Sequence, residues 1–330
     1  MAQLKTFFVV NPKSGNGATG RGFAEIERAI RAAIGGCEHA FTTAPLHATQ
    51  LAREALGKGF ECVVAVGGDG TTNEVVNGFF DEQGRPVREG AALGVIPRGT
   101  GGDFRRAFGW STRLSEAALR LQGDACRPLD VGRIEFVGHD GLAARRLFVN
   151  VASAGVSGQV DFEVNRASKA LGGKVSFLLG TLKAMLRWRD VRVRMAFDGG
   201  PLEERAVTAV AVANGQFFGG GMWIAPGARS DDGVLDVTVW SGYGLWDFVT
   251  KGKAIYDGSH VRLPKTRTLK GRSVRLEADG EVLLDIDGEQ PGRLPATLEI
   301  LPAALRLKVA EAEAKGPSGA APIDPTSGRP

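Results

Sequence analysis

Three polar, glycine-rich stretches in the first 103 residues each come directly after a short apolar run. They read NPKSGNG at 11–17, GGDGT at 67–71 and PRGTGGD at 97–103, after the runs FFVV, CVVAV and ALGVI. Short apolar runs bounded by such turn signals are typical of buried strands. Ligands of open parallel sheets bind beyond the carboxyl ends of the strands, so three loops of this kind predict a binding site at one sheet edge.

Helical segments separate these runs. Phe23, Ile26, Ile30 and Ile34 recur at helical spacing, a second helix is predicted at about 46–56, and Thr71 or Thr72 is a candidate N-cap for a third. The β-α-β-α-β-α-β order predicts an α/β, doubly wound, mostly parallel sheet over residues 1–130.

After about Asp130 the pattern changes to short strands separated by turn signals. This predicts an antiparallel, β-rich second domain over 131–310. One apolar helix is expected at about 170–188, either packed on this domain or lying at a lipid interface. The Ala-, Gly-, Pro- and Ser-rich stretch at 311–330 is predicted to be a disordered tail.

Net charge, cysteine content and the length of the apolar runs indicate the cellular compartment and the class of binding partner. The net charge is +4 and the pI about 9.0, which favours an anionic substrate or membrane surface but is too small to indicate nucleic acid. Three scattered cysteines argue for a reducing compartment. Since no apolar run is long enough to span a bilayer, we expect a cytoplasmic protein with peripheral membrane contact.

The three loops suit phosphate, because glycine-rich turns before helices present backbone N–H groups to anions. Lys13 and Ser14 add donors in the first loop. Asp69 would repel phosphate directly, so it is interpreted as holding Mg²⁺ or its waters, with capping of the next helix as the alternative. No Walker sequence or dinucleotide-binding GxGxxG is present, and the four histidines lack metal-ligand spacing.

The stretches NPKSG, GGDGTTNEVVNG and PRGTGGDF, in this order, resemble the diacylglycerol kinase catalytic-domain family of soluble bacterial lipid kinases, which is related to sphingosine and ceramide kinases. NVASAGVSGQV (150–160), ANGQFFGGGMWIAPGARSDDGVLDV (213–237) and DIDGEQ (285–290) extend the resemblance over about 4–309. It implies a nucleotide-binding domain like those of 6-phosphofructokinase and NAD kinase, and a β-sandwich lipid domain.

The resemblance also implies site residues. Glu289, as proton acceptor, Asp287 and Asp69 would be catalytic. Asp232, with the backbone carbonyls of Arg229 and Val234, would hold a structural Mg²⁺. The implied ATP contacts are Asn11, Pro12, Lys13, Ser14, Gly15, Thr43, Gly67, Gly68, Asp69, Gly70, Thr71, Thr72, Asn73, Glu74 and Thr100.

Two features of these motifs bear on the chemistry. Asp285, Asp287 and Glu289 alternate, so an extended chain would place them on one face, whereas an acidic hairpin turn around Asp-Gly is the alternative. An Asp-Gly turn is likewise the alternative at 231–233. The family usually reads G-T-x-N-D-F, but this chain has GTGGDF; Gly102 removes a side-chain amide, while Asp103 remains.

The sequence therefore predicts an ATP- and Mg²⁺-dependent lipid kinase of phospholipid biosynthesis, which converts diacylglycerol to phosphatidic acid. The alternatives are a kinase for a sphingoid base or another lipid, an NAD kinase, and a catalytically weak lipid- or nucleotide-binding protein. The expected partners are the lipid substrate and a membrane surface. The oligomeric state stays open, with a homodimer as one candidate.

Overall fold

The computed structural model describes residues 3–159 and 188–314. The predicted apolar helix at 170–188 lies outside the described residues except for its last residue, and the predicted tail at 311–330 does so except for residues 311–314. The chain divides into two compact units, described separately below. No helix of the described ranges is long and apolar enough to cross a membrane.

The first unit comprises residues 3–131, 230–232 and 301–314. Its helices are α1 (Ala18–Arg21), α2 (Phe23–Ile34), α3 (His47–Gly57), α4 (Asp69–Gly78), α5 (Asp103–Ala107) and α6 (Leu114–Leu119). Its strands are β1 (Thr6–Val10), β2 (Glu38–Phe41), β3 (Cys62–Gly67) and β4 (Ala92–Pro97).

These four strands form a parallel sheet in the order β2-β1-β3-β4. All six residues of β3 are buried, which explains why CVVAV reads as a continuous apolar run rather than an alternating one. Phe23, Ile26 and Ile30 of α2 pack in one cluster with Phe8 and Val64 of the sheet. The α/β, doubly wound fold predicted from the alternation of strands and helices is confirmed.

The start of α4 differs from the prediction. The helix begins at Asp69, with Gly68 at the N-cap, so the expectation that Thr71 or Thr72 caps it is wrong. The Thr72 hydroxyl instead donates back to the Gly68 carbonyl oxygen at 3.3 Å. The second and third loops approach closely here: a Cβ at position 68 would lie 3.2 Å from the Cα of Gly99, and a Cβ at position 99 would lie 2.4 Å from the Cα of Gly68.

The second unit comprises residues 132–159, 188–229 and 233–300. The strands that follow β4 are β5 (Cys126–Gly138), β6 (Ala143–Phe148), β7 (Val151–Gly155), β8 (Val191–Phe197), β9 (Glu203–Val207), β10 (Ala209–Ala213), β11 (Phe217–Phe218), β12 (Met222–Trp223), β13 (Leu235–Trp240), β14 (Thr266–Gly271), β15 (Ser273–Ala278), β16 (Leu284–Ile286) and β17 (Gly292–Lys308). This part also contains α7 (Leu245–Tyr256), which the sequence did not predict, and a 3₁₀ helix at Ser259–Arg262.

Two antiparallel arrays make up the second unit. One has the order β14-β13-β10-β7-β16. The other places the first part of β17 beside β15, followed by β8 and β9, and also contains β5, which pairs with β17 and with β6. Val210 and Val212 of the first array share a core with Ile134, Phe148 and Leu276 of the second. Sharing one apolar core between two sheets is the arrangement of a β-sandwich, as predicted.

Strand β17 returns the chain to the first unit. Gly292–Lys308 is one long strand that contains a left-handed residue, Ala303, at φ 48°. Its end pairs in parallel with β4, Arg306 opposite Ala92 and Leu307 opposite Leu93. The contiguous bounds predicted from sequence, 1–130 and 131–310, do not include this return.

Candidate active site

The three glycine-rich loops lie together at the carboxyl edge of the parallel sheet. Asn11 Nδ2 donates to Thr71 Oγ1 at 3.0 Å, which joins the first loop to the second. The backbone N–H of Arg98 donates to the Gly67 carbonyl oxygen at 2.6 Å, which joins the third loop to the second. Gly15 has φ 59°, and a Cβ there would lie 2.9 Å from the Arg98 carbonyl oxygen. The first loop therefore also packs tightly on the third.

The second loop runs directly into α4, a helix of ten residues. Its first intrahelical bond runs from the Thr72 N–H to the Gly68 carbonyl oxygen at 3.0 Å. The N–H groups before Thr72 have no acceptor within the helix, and the helix dipole places positive potential at this end. Residues 68–72, which were predicted to contact the nucleotide, thus form the N-terminus of α4, and a helix N-terminus suits a phosphate.

Asp69 uses its carboxylate within the fold. Oδ2 accepts hydrogen bonds from the backbone N–H groups of Gly102, at 2.7 Å, and Asp103, at 3.1 Å, while Oδ1 accepts from Phe104 at 3.0 Å. A carboxylate has about four acceptor sites, so three are occupied. Asp69 therefore caps α5, which is neither the magnesium role nor the cap of its own helix weighed from sequence. A magnesium role for Asp69 stays a prediction.

Gly102, where the related family usually has asparagine, takes a left-handed conformation at φ 71° and ψ 35°. A Cβ at this position would lie 2.6 Å from Nε of Arg105. The Arg105 side chain is held there by a hydrogen bond from Nη1 to the Trp110 carbonyl oxygen at 3.1 Å. An arginine thus occupies the space into which a side chain at 102 would project.

Three cations surround the loops without a carboxylate partner among the described residues: Lys13, Arg98 and Arg105. Arg106 differs, because its Nη1 lies 3.1 Å from Asp103 Oδ1. Sequence reasoning named Lys13 but missed Arg98 and Arg105. The available signal was a basic residue at the start of the third loop and another just after it.

The remaining predicted nucleotide contacts fall into two groups. Thr43 and Thr100 are exposed, and the Thr43 N–H donates to His47 Nδ1 at 3.1 Å. Glu74 is engaged in the fold, since its Oε2 accepts the Ala48 N–H at 3.1 Å at the start of α3. The Glu74 carboxylate therefore caps the N-terminus of α3.

In the second unit, the stretch DIDGE forms a tight hairpin turn. Asp287 and Gly288 have φ values of 49° and 88°, and the N–H groups of Ile286 and Glu289 bond to each other's carbonyl oxygens at 2.8 and 3.1 Å. This is the two-residue loop that Asp-Gly favours. The expectation that an extended chain places Asp285, Asp287 and Glu289 on one face is wrong, because the chain reverses after Ile286.

Asp287 binds the chain between β6 and β7. Oδ2 accepts the Val149 N–H at 3.0 Å, and Oδ1 accepts those of Asn150 and Val151 at 3.0 and 2.9 Å. Asp285 is buried, and its Oδ1 accepts the Gly288 N–H at 2.8 Å within the turn. Both aspartates therefore fix the position of the turn.

Glu289 is the accessible carboxylate of the turn. Its side chain is 44% exposed and forms an ion pair with Arg146 of β6, whose side chain is 25% exposed. Arg146 was not named from sequence and lies 143 residues away along the chain. The arginine fixes the direction of the Glu289 carboxylate while leaving it open to solvent.

The predicted magnesium ligands lie in the turn before β13. Arg229 and Asp232 are exposed, and the adjacent Asp231 pairs with Arg127 at 2.8 Å. Among the described residues no cluster of three or more His, Cys, Asp or Glu side chains could hold a metal. A donor set of one carboxylate and two carbonyl oxygens fits Mg²⁺, which keeps several of its waters.

Comparison with protein families matches both halves of the chain. Residues 5–134 match the diacylglycerol kinase catalytic domain, and residues 150–309 match the YegS C-terminal NAD kinase beta sandwich-like domain. A diacylglycerol kinase of Bacillus subtilis is 28% identical, over 87% of this chain and 90% of its own. A diacylglycerol kinase of Mycobacterium tuberculosis is 29% identical, over 92% and 94%.

Two solved structures are similar to this chain in fold, and one of them also carries the name diacylglycerol kinase. A Bacillus anthracis str. Sterne protein solved as a candidate diacylglycerol kinase has a TM-score of 0.75 and 26% identity, over 94% of this chain and 97% of its own. Yeast NADH kinase complexed with NADH has a TM-score of 0.50 and 11% identity, over 93% of this chain and 83% of its own. At this identity the similarity is one of fold alone.

Proposed function

Because the chain belongs to the diacylglycerol kinase catalytic-domain family and is thus a phosphotransferase with an alcohol acceptor, we propose that it transfers the γ-phosphate of ATP to a lipid hydroxyl. The expected acceptor is diacylglycerol, as the names of the relatives suggest, and the product is then phosphatidic acid. The same proposal includes a role in phospholipid biosynthesis, a location in the cytoplasm and contact with a membrane surface.

The observation that carries the proposal is the convergence, at the edge of the parallel sheet, of three loops and three cations that have no carboxylate partner among the described residues. ATP brings a chain of phosphates with about four negative charges at neutral pH, and charge neutralisation and alignment dominate phosphoryl transfer. Lys13, Arg98 and Arg105 supply positive charge, and the start of α4 supplies N–H donors. We assign this edge to the ATP phosphates.

Glu289 is the proposed proton acceptor. A lipid hydroxyl is a poor nucleophile, so a carboxylate takes its proton while the oxygen bonds to the γ-phosphorus and the bond to the leaving ADP oxygen breaks. Glu289 suits this role because it is the half-exposed carboxylate of its turn and Arg146 fixes its direction. Asp287, whose oxygens accept three backbone N–H groups, is a positioning residue for the same turn.

Magnesium enters the proposal in two places. It accompanies ATP as the MgATP substrate, where it neutralises phosphate charge. A second ion would be held by Asp232 with the carbonyl oxygens of Arg229 and Val234, where it would order the turn before β13.

The test is transfer of labelled phosphate from ATP, with Mg²⁺, to a panel of lipids in mixed micelles, with NAD⁺ as a parallel acceptor. We expect label on diacylglycerol. A Glu289→Gln variant should lose at least about a hundredfold in turnover while keeping its affinity for ATP. Glu281→Gln, which changes an exposed glutamate at the start of the same hairpin, is the matched control.

The other outcomes separate the alternatives. Label on a sphingoid base or another lipid would keep the kinase and change the acceptor, and label on NAD⁺ would replace the lipid kinase with an NAD kinase. Binding of ATP with no label on any acceptor would favour the catalytically weak binding protein.

A further inference from the structure

The outer face of α7 carries three exposed large apolar side chains. Trp246 is 78% exposed, Val249 is 63% exposed and Tyr256 is 54% exposed. Positions 246, 249, 253 and 256 are three or four residues apart and therefore lie on one side of the helix. We define the α7 face as Trp246, Val249, Lys253 and Tyr256: three exposed apolar side chains with one lysine between them.

The opposite side of the helix is well anchored in the second unit. Ile255 packs against a buried cluster that includes Ala211 and Trp240. Asp247 accepts hydrogen bonds from Lys251 at 2.5 Å and from Lys265 at 2.7 Å, and also from the Gly244 N–H at the N-cap. The helix is thus fixed on one side, and the α7 face is its solvent side.

The charge around the α7 face is positive. Residues 245–265 contain four basic and two acidic side chains. Lys251 and Lys265 hold the pKa of Asp247 well below its usual range, so this carboxylate is ionised and neutralised by two cations. Lys253, on the face itself, and Arg262, in the following 3₁₀ helix, are exposed, with no carboxylate within ion-pair distance in the described part of the chain.

We propose that the α7 face docks on a bilayer surface containing anionic lipid. Trp and Tyr have apolar rings with one polar group, which suits the boundary between headgroups and acyl chains, and lysine reaches back to the headgroup phosphates. The combination of exposed rings and basic side chains on one anchored helix matches an interfacial helix better than a protein interface, where lysine is depleted. The proposal rests on the proposed function in so far as the acceptor is a bilayer lipid.

The experiment measures binding of the full chain to vesicles by co-sedimentation. Vesicles of phosphatidylcholine alone are compared with vesicles that also contain phosphatidylglycerol. We expect the parent to bind the anionic vesicles. Trp246→Gln and Lys253→Glu, each as a single variant, should weaken this binding at least about tenfold. Leu142→Gln, which changes an exposed apolar residue elsewhere in the second unit, is the matched control and should bind like the parent.

Fluorescence locates the contact. Trp110 and Trp240 are buried and Trp188 and Trp223 are half-buried, so Trp246 is the most exposed tryptophan of the described residues. Bromine-labelled lipid should quench the parent protein and leave Trp246→Phe nearly unquenched, although this variant still binds. Equal quenching of both proteins would place the membrane contact elsewhere and overturn the proposal.

Two further readouts complete the test. Sedimentation velocity distinguishes a dimer interface: a dimer that becomes a monomer in Trp246→Gln, with unchanged vesicle binding, would overturn the proposal. Activity is measured on vesicles and on a short-chain diacylglycerol that needs no bilayer. Loss on vesicles alone in Trp246→Gln supports docking, whereas a parent that binds vesicles but phosphorylates no lipid would remove the proposed function and leave docking intact.

Discussion

Oδ2 of Asp69 lies 2.7 Å from the backbone nitrogen of Gly102, a residue 33 positions further along the chain. With the hydrogen bonds from the N–H groups of Asp103 and Phe104, this carboxylate links the second loop to the third, in addition to the backbone hydrogen bond between Arg98 and Gly67. The loop that follows β4 is therefore held by a charge in the loop that follows β3.

Replacement of Asp69 by asparagine tests this link. The amide keeps one acceptor oxygen, and its NH₂ group faces N–H donors, so at least one charge-assisted hydrogen bond is lost and a donor is left unsatisfied. We expect Asp69→Asn to lower the free energy of unfolding by about 2 kcal/mol and to weaken ATP binding. Urea unfolding and calorimetric titration with ATP measure the two effects.

The control for this prediction is Asp81→Asn. Asp81 also accepts backbone N–H groups, from Gln83 and Arg85, but in an exposed turn away from the three loops. It should leave ATP binding unchanged. An Asp69→Asn protein with parental stability and an altered Mg²⁺ dependence would instead support the magnesium role considered from sequence.

Gly102 and Arg105 should behave as a coupled pair. Arg105→Ala removes a cation that has no carboxylate partner in the described part of the chain, so it should weaken ATP binding about tenfold. Arg28→Ala, which changes an exposed arginine of α2, should not. Gly102→Asn introduces a side chain into the space of Arg105 Nε, and asparagine tolerates the left-handed conformation. We expect it to weaken ATP binding in the parent by displacing Arg105.

A double-mutant cycle separates this effect from a change in the loop backbone. In the Arg105→Ala background, Gly102→Asn should have little effect on ATP binding, which gives a coupling energy of about 1 kcal/mol. Equal effects in both backgrounds would show that the two side chains act independently.

The convergence of the three loops at one sheet edge followed from the sequence, whereas the partners of their charged groups did not. Apolar runs and glycine-rich loops are local signals, and parallel pairing brings their ends together. The pairing of Asp69 with the start of α5 and of Glu289 with Arg146 joins residues 33 and 143 positions apart. No local pattern encodes such distances.

Two local features, the Asp287-Gly288 turn and helix α7, were not predicted although both depend on neighbouring residues in the sequence. Asp287-Gly288 is a strong turn signal, yet the alternation of three acidic residues favoured an extended chain. Helix α7 has an apolar outer face, so its sequence LWDFVTKGKAIY lacks the polar side that marks an ordinary surface helix, and Gly252 weakens the helical signal further.

Asp287 and Glu289 should respond differently to removal of their charge. The Asp287 carboxylate accepts three backbone N–H groups, so Asp287→Asn should lower the free energy of unfolding by about 2 kcal/mol. Glu289 forms a half-exposed ion pair, which is worth about 0–1 kcal/mol, so Glu289→Gln should unfold almost like the parent. Urea unfolding and phosphate transfer, measured on the same preparations, compare them.

Phosphate transfer by the same two variants should differ as well. Glu289→Gln should lose turnover without losing stability, whereas Asp287→Asn should lose both together. If Asp287→Asn kept its stability and lost only turnover, Asp287 would be a catalytic residue rather than the anchor of the turn.

His260 should make stability depend on pH. Its ring is buried and stacked on Trp240 at 5.5 Å, and its nitrogens lie 3.2 and 3.1 Å from the carbonyl oxygens of Ala254 and Ile224. Burial lowers the pKa of His260, against the smaller opposing effects of the two carbonyls and of Asp257. The folded protein therefore binds this proton less readily than the unfolded chain.

The sign of the effect follows from that difference in proton binding. The contribution of His260 to stability should be constant above the unfolded pKa of about 6.5 and fall as the pH drops below it, by up to about 1.4 kcal/mol per pH unit, until the pH reaches the folded pKa. Urea midpoints of the parent, His260→Gln and the exposed-residue control His139→Gln, compared between about pH 5 and pH 8, measure this. The slope should be smaller in His260→Gln alone. A parent that gains stability from His260 on acidification would mean that the two carbonyl oxygens, which can both accept from an imidazolium, outweigh the cost of burying its charge.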